Sequence, residues 1–322
     1  MAGMEEHRRV LVADEIAPEG LEILRSGAEV AVKPGLSEAE LVAEIGPFQA
    51  IVVRSRTKVT ARVIEAGRAL EVIARAGAGV DNVDVEAATS HGILVINSPA
   101  ANSLATAEHT IAMMLALARH IPQAHVHVKA GQWDRKRFTG VELAGKTLGI
   151  VGLGRVGRLV AERARALGMT VLACDPFLDS GRITLSGAMP VNLEGLLSQS
   201  DFVTVHCPLI EETRCLIGKK ELALAKEGVR IVNCARGGIV DEEALYEALV
   251  EDRVAGAALD VFEEEPPLHC PLLSLENVIV TPHLGASTRE AQDRVGLTIA
   301  EDLLRVFRGE EPDSPVNQPQ RV

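Results

Sequence analysis

Short apolar runs alternate with segments of helical periodicity along almost the whole chain, and this pattern predicts a parallel α/β fold. The runs that predict strands form two groups. The first group lies at 10–13, 30–32, 50–53, 72–74 and 93–96, and the second at 148–151, 171–174, 202–205, 230–233, 257–260 and 278–280. Each group is large enough for its own sheet, so we expect two doubly wound parallel-sheet domains.

Capping signals predict where several helices begin. A serine followed three residues later by glutamate, the pattern of a capping box, occurs at Ser37 and again at Ser287. Asp241 stands before an apolar helical segment and is expected to cap it. The segment 104–119 is so rich in Ala, Met and Leu that we expect burial on nearly every side, as at a domain junction or a subunit interface.

The strand at 148–151 runs directly into a glycine-rich turn and a helix. Gly152 permits a tight turn, Gly154 lets the backbone approach a pyrophosphate, and Gly157 lets the helix pack close to the sheet. The free N–H groups of that helix would then face the phosphates. Asp175 ends the next strand, where a carboxylate can bind the adenosine ribose and repel a 2′-phosphate. The stretch therefore predicts a dinucleotide site that prefers NAD to NADP.

This motif and the last predicted helix define the domain organisation. The glycine turn makes 99–286 a Rossmann domain that binds NAD. The helix expected from 287 to about 307 follows its last strand and returns the chain to the first domain. We therefore expect the Rossmann domain to be inserted into a discontinuous, flavodoxin-like substrate domain made of 1–98 and 287–322. A chain of 322 residues, 47% of them hydrophobic, can fill both cores.

Composition argues against several other functions. A formal net charge of −12 argues against nucleic acid as the main partner. The chain has no apolar run of membrane-spanning length and no apolar signal region at its start, so we expect no membrane contact and a cytoplasmic location. Five cysteines without a C-x-x-C pair fit a reducing compartment. His125 and His127 point in different directions on a helix, and no metal site is expected.

Two arginines follow strands of the predicted substrate domain. Arg54 comes after the strand at 50–53, and Arg75 after the strand at 72–74. In open α/β sheets, ligands collect at the carboxyl ends of strands. A pair of cations there suits an anionic substrate, and a phosphate in particular. A surface ion pair would be the better interpretation of either arginine alone, but the glycine-rich segment after Arg75 favours binding.

Candidates for the chemical step follow three strands of the Rossmann domain: Arg236, Glu265 and His283. Parallel strands bring their carboxyl ends to one edge of the sheet, so we expect these residues to meet there. His283 would exchange the hydroxyl proton of a 2-hydroxy acid, and Glu265 would orient the ring and favour the imidazolium form. Arg236 would pair with the substrate carboxylate and polarise the reacting oxygen.

These residues also carry a family resemblance. NCARGGIVDEEAL around Arg236, AALDVFEEEPP around Glu265 and TPHLGAST around His283 resemble the D-isomer-specific 2-hydroxyacid dehydrogenases. The early segments VRSRTKVT, RAGAGVDNVD and ANSLATAEHT extend the resemblance over essentially the entire chain. The resemblance implies the same three catalytic residues and a dimer formed through the NAD-binding domain, with a tetramer left open.

The resemblance also implies binding residues. Ala78 and Cys207 stand where many family members have threonine, so neither residue offers a hydroxyl group to the cofactor. The implied cofactor contacts are Ala78, Gly152, Gly154, Arg155, Val156, Gly157, Asp175, Cys207, Cys234, Ala235, Arg236, Asp260, His283, Gly285 and Ala286. The implied substrate contacts are Arg54, Arg75, Asn102, Arg236 and Arg135, the last of these reaching a neighbouring subunit.

The resulting expectation is an NAD-dependent oxidation of 3-phospho-D-glycerate to 3-phosphohydroxypyruvate, the first step of L-serine synthesis. Reduction of glyoxylate or hydroxypyruvate would use the same catalytic set with less positive charge. A corepressor-like protein that senses NAD and recruits peptide partners is the alternative outside enzymes. Longer family members continue after a tail like SPVN, so we expect a short form or a truncated chain without feedback by serine.

Overall fold

The computed structural model describes residues 8–319, which fold into two compact units. The first unit comprises Met1–Asn102 and Ser287–Val322, and the second comprises Ser103–Ala286. The chain therefore passes to the second unit at Ser103, where a long helix begins, rather than after residue 98. Among residues 8–319, no helix combines the length and the apolar character that a membrane crossing requires.

Both units alternate strands and helices. The strands are β1 (Arg9–Val12), β2 (Glu29–Val32), β3 (Ala50–Val53), β4 (Val72–Arg75), β5 (Leu94–Asn97), β6 (Thr147–Val151), β7 (Thr170–Cys174), β8 (Met189–Pro190), β9 (Phe202–Val205), β10 (Val229–Asn233), β11 (Val254–Leu259) and β12 (Val278–Val280). The helices are α1 (Pro18–Gly27), α2 (Glu38–Glu44), α3 (Ala61–Ala66), α4 (Val85–Ser90), α5 (Ser103–Arg119), α6 (Ile121–Lys129), α7 (Arg155–Ala166), α8 (Ser180–Leu185), α9 (Leu193–Gln199), α10 (Lys219–Leu224), α11 (Glu242–Val250) and α12 (Arg289–Phe307). Two short 3₁₀ turns lie at Glu211–Thr213 and Pro271–Ser274.

The first unit is built on a five-stranded parallel sheet in the order β2-β1-β3-β4-β5, which is the flavodoxin-like order expected from the sequence. Its inner strands are buried on both faces, as the continuous apolar runs predicted. Helices α1 and α12 cover one face and approach each other very closely. A Cβ atom added to Gly20 would lie 2.7 Å from the carbonyl oxygen of Gly296.

The second unit holds a seven-stranded parallel sheet in the order β12-β11-β10-β9-β6-β7-β8. The order reverses between β6 and β9, so the glycine turn after β6 lies at the switch point of the sheet. Strands β10, β11 and β12 are neighbours, with Ala257 paired to both Ile231 and Val278. The prediction of two doubly wound parallel sheets is therefore confirmed.

The helix caps confirm some predictions and correct others. Ser37 forms the predicted capping box, and the carboxylate of Asp241 accepts the N–H of Ala244. The box predicted at Ser287 is wrong, because Thr288 caps α12 and its hydroxyl accepts the N–H of Ala291 at 3.1 Å. Threonine is, like serine, one of the residues preferred at an N-cap, so the sequence pattern alone could not choose between Ser287 and Thr288.

Within a single chain, α5 is not buried on nearly every side. The helix buries eight residues but leaves an exposed stripe. Residues along the stripe are spaced three or four apart, which places them on one side of the helix: Leu104, Glu108, Ala112, Leu115 and Arg119. Leu and Ala on this stripe give the same sequence signal as Leu and Ala in a core.

The close approach of α1 and α12 gives a stability prediction. Gly20→Ala places a methyl group against the backbone of Gly296, so we expect a loss of about 1–3 kcal/mol in the free energy of unfolding. Chemical denaturation measures this loss. Glu22→Ala, on an exposed position of the same helix, is the control and should change stability little. Equal denaturation midpoints for the two variants would contradict the close packing.

Candidate active site

The turn between β6 and α7 requires two of its three glycines for space. Gly152 has φ +90°, and an added Cβ would lie 2.8 Å from the carbonyl carbon of His206. At Gly157 the added Cβ would lie 2.2 Å from the Gly152 oxygen. At Gly154, however, the added Cβ would meet no described atom within 4 Å. Gly154 is the N-cap of α7 and provides no side-chain cap, so this open space borders the N–H groups that bind phosphate in dinucleotide sites.

Asp175 joins this turn to the next strand. Its Oδ2 accepts the Leu153 N–H at 2.8 Å, and its Oδ1 accepts the Phe177 N–H at 2.9 Å. A cavity of about 360 Å³ borders the carboxylate, and none of the described residues that line it is Lys or Arg. No cation lines this cavity to offset the repulsion between the Asp175 carboxylate and a 2′-phosphate. The lining residues therefore fit NAD better than NADP.

Two thiols flank the same region. Burial raises the pKa of the Cys207 thiol to about 11, and burial followed by the charge of Asp175 raises the pKa of Cys174. Both groups therefore stay protonated near neutral pH. Cys207 can offer an S–H group where threonine would offer a hydroxyl group. The S–H group is the weaker hydrogen-bond donor of the two.

The loop after β10 presents Arg236. The side chain of Asn233 accepts the Ala235 N–H at 3.0 Å and donates to the Arg236 carbonyl at 2.8 Å, which fixes the loop at both ends. The next residue has no room for a side chain: a Cβ on Gly237 would lie 1.9 Å from the Phe262 carbonyl oxygen. The loops after β10 and β11 therefore touch through their backbones.

Glu265 and His283 form a direct hydrogen-bonded pair. The His283 Nδ1 lies 2.8 Å from the Glu265 Oε2, and both side chains are partly exposed. The other Glu265 oxygen accepts the Phe262 N–H at 3.2 Å. Partial burial opposes ionisation of Glu265, but the bond and charge of His283 and the Phe262 N–H together hold its pKa below the usual value. Because Nδ1 faces the carboxylate, Nε2 is the ring nitrogen available for proton exchange.

The turn that carries His283 is held by Asp260, whose side chain is only 1% exposed. Its carboxylate accepts the Leu284 N–H at 2.7 Å, the Gly285 N–H at 2.8 Å and the Thr281 hydroxyl at 2.6 Å. His283 itself has φ +55°, and its N–H donates to the Asp260 carbonyl at 2.9 Å. Sequence reasoning assigned Asp260 a cofactor contact only and missed this anchoring role, for which an acid at the end of a strand was the available signal.

The remaining predicted cofactor contacts of the second unit lie at the carboxyl ends of its strands. Arg155 and Val156 open α7, Cys207 follows β9, Cys234 and Ala235 follow β10, and Gly285 and Ala286 follow β12. Arg135 is exposed between α6 and β6. Within residues 8–319, no three His, Cys, Asp or Glu side chains are grouped so that they could hold a metal ion.

Two of the arginines predicted to bind substrate, Arg54 and Arg75, lie within the first unit. Arg54 directly follows Val53, and Val53 is the register partner of Arg75, so the two arginines stand at adjacent strand ends. The Arg54 N–H donates to the Asp14 carboxylate at 2.7 Å. Asn102 closes the first segment of this unit. The Ala78 carbonyl accepts a hydrogen bond from Asn97 at 2.6 Å.

The second unit thus has the topology and glycine turn of a dinucleotide-binding domain, together with a histidine–carboxylate pair at the carboxyl ends of its strands. Residues 111–285 match the family model described as "D-isomer specific 2-hydroxyacid dehydrogenase, NAD binding domain". The chain belongs to this family, as the sequence resemblance predicted, and its cofactor is NAD.

Similar proteins extend the match over the first unit. The chain is 54% identical to a D-3-phosphoglycerate dehydrogenase of Archaeoglobus fulgidus over 313 residues, covering 97% of this chain and 59% of the relative. It is 51% identical to the Methanocaldococcus jannaschii protein of the same name, covering 97% and 60%. The chain thus spans less than two thirds of these relatives. A glyoxylate reductase structure from Paecilomyes thermophila has a TM-score of 0.89 and 33% identity, covering 97% of this chain and 98% of that one.

The buried Asp260 predicts a pH dependence of stability. Burial opposes its ionisation, but hydrogen bonds from His109, Thr281 and the turn N–H groups hold its pKa below the usual value. The pKa of Asp260 in the folded state is lower than its pKa in the unfolded chain, which is about 4. The ionised carboxylate therefore stabilises the fold at pH values above about 4, and this stabilisation disappears as the pH falls through the folded pKa. Asp260→Asn should therefore cost about 1–3 kcal/mol at neutral pH, with a difference from wild type that narrows below about pH 4.

Denaturation of both proteins between neutral pH and pH 3 measures that difference. Asp293→Asn, an exposed position, is the control and should follow the wild type throughout. A difference for Asp260→Asn that stayed constant down to the acid limit would show that the carboxylate charge does not stabilise the turn.

Proposed function

We propose that this protein catalyses the NAD-dependent oxidation of 3-phospho-D-glycerate to 3-phosphohydroxypyruvate, the first step of L-serine synthesis. The observation that carries the proposal is the 2.8 Å pair of His283 and Glu265, in the loops that follow neighbouring strands of an NAD-binding domain. The names of the relatives at 54% and 51% identity support the choice of substrate. Because the chain spans only part of those relatives, the activity is proposed for this chain on the strength of its own residues.

Each residue has a defined part in the chemistry. His283 takes the hydroxyl proton of the substrate on Nε2 while its Nδ1–H donates to Glu265. The resulting imidazolium is stabilised by the Glu265 carboxylate, whose lowered pKa keeps it ionised. Arg236 pairs with the substrate carboxylate and polarises the oxygen that becomes the carbonyl. Bound NAD supplies the hydride acceptor.

The phosphate is proposed to bind Arg54 and Arg75. These arginines stand at adjacent strand ends, and the backbone around Arg54 is fixed from two sides. Asp14 accepts the Arg54 N–H at 2.7 Å, and Asn82 donates to the Arg54 carbonyl at 2.6 Å. A fixed backbone reduces the entropy that a binding loop loses when it orders around a ligand. Asn102 and Arg135 are proposed as further substrate contacts.

Initial rates of NADH formation test this function. With 3-phospho-D-glycerate, glycerate, D-lactate and 2-hydroxyglutarate offered in parallel, we expect a clear preference for the phosphorylated acid. Arg54→Ala and Arg75→Ala should each raise its KM about tenfold or more, since each removes a charge-assisted contact. Arg62→Ala, which removes an exposed arginine of the same unit, is the control.

The outcomes separate the parts of the proposal. Preference for an unphosphorylated acid would keep the catalytic set and reject Arg54 and Arg75 as a phosphate site. An unchanged KM in both variants would reject the same assignment. Inactivity with all four acids would reject the dehydrogenase function and favour a protein that binds NAD to regulate its partners.

We further propose that the protein is a homodimer formed through its NAD-binding domain. Helix α6 buries none of its nine residues, although a helix this short is marginal without tertiary packing. It exposes Ile121, Val126 and Val128, and Trp133 just beyond it is 78% exposed. A second copy covering this surface would bury these side chains in a symmetric interface. The cytoplasm is the proposed location.

Light scattering after size exclusion tests the dimer. Wild type should elute at twice the 34.3 kDa of one chain, and the double variant Val126→Asp with Trp133→Ala at the mass of one chain. Leu185→Asp is the matched control, because Leu185 is 89% exposed on α8 and should not affect assembly. A wild-type protein of 34.3 kDa at micromolar concentration would contradict the proposal.

A further inference from the structure

His109 contacts the anchor of the catalytic turn, although nothing in the sequence assigned it a role. Its Nε2 lies 3.2 Å from the Thr281 hydroxyl oxygen and 3.3 Å from the Asp260 Oδ1. The Thr281 hydroxyl donates its hydrogen to the same Asp260 oxygen at 2.6 Å. Its oxygen can therefore only accept from His109, which places a proton on the His109 Nε2. This Nε2–H of His109 is shared between Thr281 and Asp260.

This N–H completes the set of donors around a buried charge. The Asp260 Oδ1 accepts hydrogen bonds from the His109 Nε2–H, the Thr281 hydroxyl and the Leu284 N–H. The Asp260 Oδ2 accepts a hydrogen bond from the Gly285 N–H. The carboxylate is only 1% exposed, so bulk water cannot replace a lost donor. Removing the His109 donor therefore changes how strongly the carboxylate holds its remaining partners.

Those partners define the position of His283. Leu284 and Gly285 follow it directly, and Thr281 precedes it by two residues. The φ of +55° at His283 is unusual for a residue with a Cβ and persists only where the surroundings fix it. In this conformation the ring meets Glu265 at 2.8 Å.

We propose that His109 is a positioning residue for the acid–base pair. Through Asp260 and Thr281 it keeps the turn closed, so that His283 stays in the conformation that pairs with Glu265. This inference rests on the proposed function, because it gives His283 the acid–base role. His109 itself is not assigned any contact with substrate or cofactor.

Three variants separate the hydrogen bond from packing. His109→Leu keeps the volume of the side chain but removes the donor. His109→Gln keeps an N–H group near the position of Nε2. His91→Leu makes the same change as the first variant at an exposed histidine of the first unit, and it is the control.

The first readout does not depend on activity. NMR of ¹⁵N-histidine-labelled protein reports the ring nitrogens of His283, whose signals are identified by their loss in His283→Asn. We expect the His283 signals and their pH titration to move in His109→Leu and to stay at wild-type positions in His109→Gln and His91→Leu. The second readout is kinetic. In His109→Leu we expect kcat to fall about tenfold, with the KM for phosphoglycerate within about twofold of wild type.

Each outcome decides between the proposals. Recovery of kcat and of the His283 signals in His109→Gln supports positioning through the hydrogen bond, whereas equal changes in the Leu and Gln variants overturn it. Unchanged signals and rates in His109→Leu also overturn it. If His109→Leu does not fold, Thr281→Val removes the shared hydroxyl and must move the same signals. A wild type without dehydrogenase activity rejects the proposed function, while the NMR comparison still tests the positioning.

Discussion

The parallel pairing of strands in the second sheet is the constraint on which the candidate site depends. Strands β10, β11 and β12 run side by side in the same direction, so the loops after them emerge at one edge. Arg236, Glu265 and His283 each follow one of these strands. Residues that stand 29 and 18 positions apart in sequence therefore share one edge of the sheet.

Close backbone approach then fixes the loops relative to one another. Gly237 packs against the Phe262 carbonyl, and Gly152 packs against the backbone of His206. In both places a single methyl group would overlap backbone atoms, which cannot move aside as a side chain can. Glycine at these positions therefore sets the spacing between loops, whereas at Gly154 it leaves space for a ligand beside the helix N-terminus. The same residue type serves two different purposes within one turn.

The sequence predicted the parts of the fold that depend on local signals. Apolar runs located the strands at 202–205 and 278–280 without error, and the Asp241 cap was correct, because both signals lie within a few residues of their consequence. The exposed stripe of α5 was missed because alanine and leucine do not reveal which side of a helix faces solvent. The contact of His109 with Thr281 was missed because the two residues are 172 positions apart. The two residues come into contact only in the folded protein, where His109 on α5 lies next to Thr281 at the end of β12.

The electrostatics of the site require two ionised carboxylates close to one histidine. Burial, and to a smaller extent the charge of Asp260, favour protonation of Glu265. The hydrogen bond and charge of His283 and the Phe262 N–H oppose it, and the pKa of Glu265 stays below the usual value. Asp260 avoids competing for the His283 ring because its oxygens are occupied by backbone N–H groups, Thr281 and His109. These hydrogen bonds stabilise its charge within the turn. Glu265 alone is therefore left to orient the imidazole, and the division of roles between the two acids follows from their donors rather than from their distance to the histidine.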